Sequence, residues 1–243
     1  MAQSGLPEFE QLAQQIEEEG ALRDKLRELR DALEAALRPV DTALGLLHVK
    51  ADVAPLLQQA QSLLPTVCER LGALQSAVPE GCFYKYNDLW RQSVVRVVQQ
   101  AVLLHFLETG GCQTLADADR SIDTADSAAP CGRLAARQDV QRRLRGSDVA
   151  DNAEIPAVRI ETDEYLLGVC SAIQEMSRLA ANRVVLGDFV TPKNMAVFAN
   201  EVHAGFRLLN FRNDALRRSY DGLKYAVQRL DGIQYDLSIR NLR

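Results

Sequence analysis

The densest chemistry in the chain is the run FYKYNDLWR at 83–91, where aromatic rings alternate with cations. Aromatic rings stack on unpaired bases at about 1–3 kcal/mol per base while Lys and Arg neutralise phosphates, so Lys85, Tyr86, Asn87, Trp90 and Arg91, with Arg96 further along, form a candidate single-strand binding surface. The same residues also fit a blander role, with Tyr86 and Trp90 in a core and Lys85 and Arg91 as solvated charges. Other chemistries lack their residues. The five Cys contain no CxxC pair and the three His are scattered, so no metal centre is expected. No GxGxxG, GxxxxGK[ST], HExxH or GxSxG motif occurs, and no cofactor is expected. His105, between Leu104 and Phe106, reads as a core histidine rather than a ligand.

The elements that must carry these side chains are helices. Apolar residues recur at spacings of three and four almost everywhere and rarely at two, which implies an all-α fold. A first helix is expected over about 7–48, with a leucine stripe through Leu12, Ile16, Leu22, Leu26, Leu29, Leu33, Leu37, Leu44 and Leu47 and a kink at Pro39. A second is expected over about 55–78, bent near Pro65, and a third, without Gly or Pro, over about 82–109. On that third helix Lys85, Asp88, Gln92, Arg96 and Gln99 would share one stripe and Asn87 and Arg91 another. The stretch 110–157 is small, polar and aperiodic, too long for an ordinary helix connection, with one short helix around LAARQDVQRRLRG. Thr162 is the expected N-cap of the next helix, which stops at Gly187; Thr191-Pro192 then opens a helix running to about Asn210, and Asn213-Asp214 opens the last, to about Asn241. The whole is about seven helices in a single domain over 1–243, with a polar insertion at 110–157. Leu209, Leu216, Leu223, Leu230 and Leu237 stand seven apart, but amides at two partner positions and Gly222 and Gly232 favour packing inside the fold or against a second subunit over a two-stranded coiled coil.

Composition bounds the function. Lys and Arg number 28 against 33 Asp and Glu, a net charge of −5, so bulk charge does not favour nucleic acid and any such role rests on a local patch. Residues 1–34 carry nine acids and four bases, whereas 203–243 carry eight bases and four acids, a polarity suited to a shell with unlike faces. The odd Cys count without a framework suggests a reducing compartment; the acidic N-terminus is no secretory signal, and the most apolar stretch, 94–107, is too short and too polar to span a membrane. A soluble intracellular protein is expected.

The C-terminal third, with ETDEYLLGV, SRLAANRVVLGDFVTP and FANEVHAGFRLLNFRNDALRRSYDGLKYAVQRLDGIQYDLSIRNL, resembles the translin/Trax family, and the resemblance reaches back through FYKYNDLWRQSVVRVVQQAVLLHFLET. It implies a helical subunit of a hollow octamer that binds single-stranded RNA and DNA and pairs with a Trax-type subunit to form an endoribonuclease acting in small-RNA or tRNA processing. In the family the catalytic acids belong to Trax. Here the matching positions carry Arg96, Gln99, Ser171 and Glu175, so only Glu175 is an acid. The resemblance thus implies a non-catalytic, nucleic-acid-binding scaffold. The family's basic stretch corresponds to 83–91, although Asn87 and Leu89 stand where histidines are expected. Two alternatives stay open: an RNA-cleaving homo-oligomer that uses Glu175, and an adaptor that binds only proteins.

Overall fold

The computed structural model describes residues 6–111, 134–144, 158–211 and 215–240. Those residues form eight α-helices and no strand: α1 (Leu6–Leu46), α2 (Ala54–Ser76), α3 (Phe83–Tyr86), α4 (Arg91–Phe106), α5 (Arg137–Leu144), α6 (Thr162–Val185), α7 (Val190–Phe206) and α8 (Ala215–Ile239). None is long and apolar enough to cross a membrane. α1 pairs with α2, α4 lies against α6, and α6 and α7 both pack on α8, so α4 and α6 form the middle of the bundle. Of the 16 residues of α4, 11 are buried, as a helix with apolar residues on most sides requires.

α1 runs through Pro39, and α2 through Pro65, without a break in helix. The buried part of the α1 stripe begins at Leu26, while Leu12 and Ile16 are exposed. Length explains the difference: α1 has 41 residues and its partner α2 has 23, so at 1.5 Å per residue α1, about 60 Å long, outruns α2 at about 35 Å.

The expected helix over 82–109 is divided. α3 is four residues long, a 3-10 turn occupies Asn87–Leu89 with Trp90 N–H donating to the Asn87 carbonyl at 3.2 Å, and only then does α4 begin. Asn87-Asp88 are the residues whose side chains compete with the helix ladder for backbone partners, and the break falls on them. The single stripe expected from Lys85 to Gln99 therefore does not exist. A π-turn, Leu107–Gly111, closes α4.

The other caps move by a residue or two. Glu161 rather than Thr162 is the N-cap of α6, with its N–H donated to Glu164 Oε2 at 2.9 Å. Thr191 does not cap α7; Asp188 Oδ1 accepts the Thr191 N–H at 3.0 Å, and Asp188 is in turn held by the buried Arg183 at 2.9 Å. Arg183 also donates to the carbonyls of Lys50 and Ala51, tying the turn after α6 to the loop between α1 and α2. Gly187, at φ +84°, supplies the left-handed residue that this turn needs. α7 ends at Phe206, short of Asn210. Asn213, Asp214 and Gly146 lie outside the described residues. Within the leucine heptad Leu223, Leu230 and Leu237 are buried, the first two as part of the core, and Leu209 is exposed.

Candidate functional site

The 83–91 run divides by burial rather than by residue type. Trp90 is 0% exposed and Tyr86 3%, so neither ring presents a face to a ligand, and the expectation that they stack on bases is corrected by their place in the core. Phe83 meets Trp90 edge to face, and Asn87 Oδ1 and Trp90 Nε1 are buried without partners. Lys85 Nζ lies 2.5 Å from Glu19; this hydrogen bond holds the lysine above its ordinary pKa and the glutamate below its own. Arg91 pairs with Asp163 on α6. The exposed ring is Tyr84, at 70%. The Arg159 guanidinium sits 4.2 Å from the Phe83 centroid and 5.2 Å from that of Tyr84, donates to Tyr84 Oη at 2.8 Å and reaches Glu161 at 2.6 Å. Its main chain is fixed as well: Gln75 on α2 exchanges two hydrogen bonds with the Arg159 peptide, each 2.8 Å. Sequence reading passes over Arg159 because 75 positions separate it from Tyr84.

A second constellation forms where α4 and α6 cross, with α1 alongside. Arg96 donates to Glu34 at 2.8 Å and to Asp41; Ser93 also binds Glu34, and Gln100 Nε2 binds Asp41. Across the gap, Glu175 Oε1 lies 2.7 Å from His48 Nε2, and Arg178 contacts the other oxygen. Asn182 Nδ2 donates to His48 Nδ1 at 2.8 Å, which assigns the imidazole proton to Nε2 and makes His48 a donor to Glu175. Arg96, Asp41, Gln100, Glu175, His48, Arg178 and Asn182 line a cavity of about 600 Å³ together with Gln92, Gln99 and Leu103. A neighbouring cavity of about 480 Å³ shares Gln99, Glu175 and Arg178 with it and continues past Ser171 to Gly222, Tyr225 and Arg229 on α8. Two of the sequence candidates, Arg96 and Glu175, thus face one cavity, whereas Lys85, Tyr86, Asn87, Trp90 and Arg91 lie away from it. His48, Asn182, Asp41 and Gln100 carry no motif and only the fold reveals them.

The cavity does not suit a divalent cation. Glu175 is engaged by His48 and an arginine, and Asp41 by an arginine and an amide, so each oxygen of both carboxylates already has a protein partner. Among the described residues no group of three His, Cys, Asp or Glu side chains is placed to hold a metal.

A sequence profile of the translin family matches residues 21–241. The chain belongs to the translin family. Curated translins agree over nearly the whole length: Gallus gallus translin is 31% identical over 224 residues, covering 91% of this chain and 86% of that one, and Homo sapiens translin is 31% identical over 222, covering 90% and 86%. Two solved structures share the fold. AfC3PO, in a complex with duplex RNA, superposes with a TM-score of 0.58 at 17% identity, covering 97% of this chain and 99% of its own; apo-NeC3PO gives 0.52 at 13%, covering 97% and 98%. In this translin-family chain Arg96 and Glu175 line the same cavity.

Proposed function

We propose that this translin-family chain is a single-stranded RNA- and DNA-binding, non-catalytic scaffold subunit that pairs with a Trax-type subunit in an endoribonuclease of the cytoplasm and nucleus, acting in small-RNA or tRNA processing. The observation that carries the reading is the state of the α4–α6 cavity. Of the four positions that match the catalytic acids of Trax, three are Arg96, Gln99 and Ser171, and Arg96 is fixed in place by Glu34 and Asp41. Arg96 occupies both of these carboxylates and puts its own charge where a metal ligand would stand, and the remaining acid, Glu175, already has His48 and Arg178 as partners.

The assembly in this reading is a closed homo-octamer, eight times 26.9 kDa or about 215 kDa, in which identical patches pair, and membership of the translin family supports it. Exposed apolar side chains at both ends of the chain, Phe9, Leu12 and Ile16 on α1 and Tyr235 and Ile239 on α8, supply surface for such contacts.

The test is cleavage of a labelled RNA by the purified chain in magnesium or manganese, alone and mixed with a Trax-type subunit. Cleavage is expected only in the mixture. Robust cleavage by the chain alone that disappears in Glu175→Gln would replace this reading with the RNA-cleaving homo-oligomer. Because AfC3PO was captured with duplex RNA, the companion binding assay sets single strand against duplex, and single strand is expected to win.

A further inference from the structure

We propose that the two adjoining cavities form one cradle for an RNA strand, in which a nucleoside unit seats in the larger cavity against Gln100 and the flanking phosphates lie on Arg178 and Arg229. This rests on the nucleic-acid reading above and adds where on the subunit the strand runs and which groups hold it.

Four observations support it. The cavities are contiguous through Gln99, Glu175 and Arg178, and the larger, at about 600 Å³, falls within the roughly 300–1,000 Å³ common for small-ligand sites. Gln100 lines that cavity, is 2% exposed and gives its Nε2 to Asp41, yet its Oε1 has no partner. A buried acceptor without a donor is costly, and a nucleoside brings donors in its ribose hydroxyls and exocyclic amines. The cavity wall is otherwise rich in amides, Gln92, Gln99 and Asn182, the side chains whose paired donor and acceptor match base edges.

The second cavity has the complementary chemistry. Arg229 makes no ion pair with any described residue, and Arg178 is 64% exposed with Glu175 its one ion-pair partner there. Tyr225, beside Arg229 in the lining, is an exposed ring onto which a base can stack. Gln99 and Ser171 in that lining are neutral, and the acid there, Glu175, is already held by Arg178 and His48. At Gly222 a Cβ would stand 2.6 Å from Gln174 Nε2, so the absence of a side chain keeps that amide where it lines the groove.

The experiment measures fluorescence anisotropy of a fluorescein-labelled oligouridylate with the full chain, across a salt series. Arg178→Ala with Arg229→Ala is expected to weaken binding about tenfold and to flatten the slope of log K against log salt by about 1 to 2. Gln100→Leu, which keeps the buried volume and removes the acceptor, is expected to weaken binding about fivefold. Should Gln100→Leu fold poorly, Arg229→Ala alone carries the comparison, since its side chain is exposed. Photo-crosslinking with thiouridine in the strand should mark the peptide containing Tyr225. Variants that melt like the parent and bind with its affinity and slope overturn the cradle, as do crosslinks confined to 83–91. A parent that binds no single strand removes the nucleic-acid reading itself and the cradle with it.

Discussion

The approach to α4, residues 83–91, holds four aromatic rings and two cations, and the next stretch, 92–100, holds three glutamines, a serine, an arginine and four valines. In the fold their roles are reversed. Tyr86 and Trp90 are sealed in the core and Lys85 and Arg91 are engaged by acids, while Gln92, Arg96, Gln99 and Gln100 line an open cavity. Residue type proposes a function, but the angle at which the backbone delivers each side chain decides whether a ligand can meet it. Here the 3-10 turn at Asn87–Leu89 sets that angle.

The comparison breaks most sharply at Trp90. If the ring is core, Trp90→Ala costs about 3–5 kcal/mol in urea unfolding, whereas Tyr84→Ala costs about 1 kcal/mol or less and lowers affinity for single-stranded RNA. A stable Trp90→Ala protein with lost binding would restore the stacking role to the buried ring.

Gly168 tests the other region. A Cβ there would lie 2.5 Å from Val98 Cγ1 and 3.0 Å from the Val95 carbonyl, so Gly168→Ala should push α6 off α4 and cost about 1–3 kcal/mol, read as a lower melting temperature. An unchanged melting temperature would mean that the crossing is looser than described.

Glu164 joins the two regions: it lies at the start of α6, is 1% exposed, and has one carboxylate oxygen without a partner. Burial raises its pKa above 4.5, outweighing the hydrogen bonds from the Glu161 N–H and Asn87 that lower it. The folded state therefore binds this proton more tightly than the unfolded state, and stability falls as pH rises from about 4.5 through the higher folded value. Glu164→Gln keeps an oxygen for the Glu161 N–H and removes the ionisation. The variant should be more stable than the parent at neutral pH, with the gap closing in acid; a gap that is constant with pH would assign its origin to packing instead.

The smallest effect is expected at Lys85. Its pair with Glu19 is exposed, and such pairs contribute little, so Lys85→Ala should melt like the parent at any salt concentration.

The helical class, the pairing of charge with outer faces and the buried Leu223, Leu230 and Leu237 were legible in the sequence because each rests on spacing along one helix. So was Arg96 as an obstacle to metal chemistry. The division of 82–109 was not, since low helix propensity at Asn87-Asp88 competes with the apolar-periodic stretch 94–107 that follows, and tertiary burial of Tyr86 and Trp90 settles the contest. The cavity partners were beyond reach for another reason: His48 and Glu175 are 127 positions apart, and Arg183 reaches the Lys50 carbonyl across 133. No periodicity encodes a contact made by two helices meeting at one point.

Arg159, anchored twice to Gln75, has a consequence for how the family can vary. Between Gly111 and Val158 the described residues include α5, whose Val140 and Leu144 are buried in the core, and the chain is pinned again at Arg159 by hydrogen bonds to α2 and by the rings of Phe83 and Tyr84. Closing a chain between two fixed points becomes only about 0.6 kcal/mol harder for each doubling of its length, so anchors such as Arg159 and α5 let the length between them change at little cost to the α4–α6 crossing.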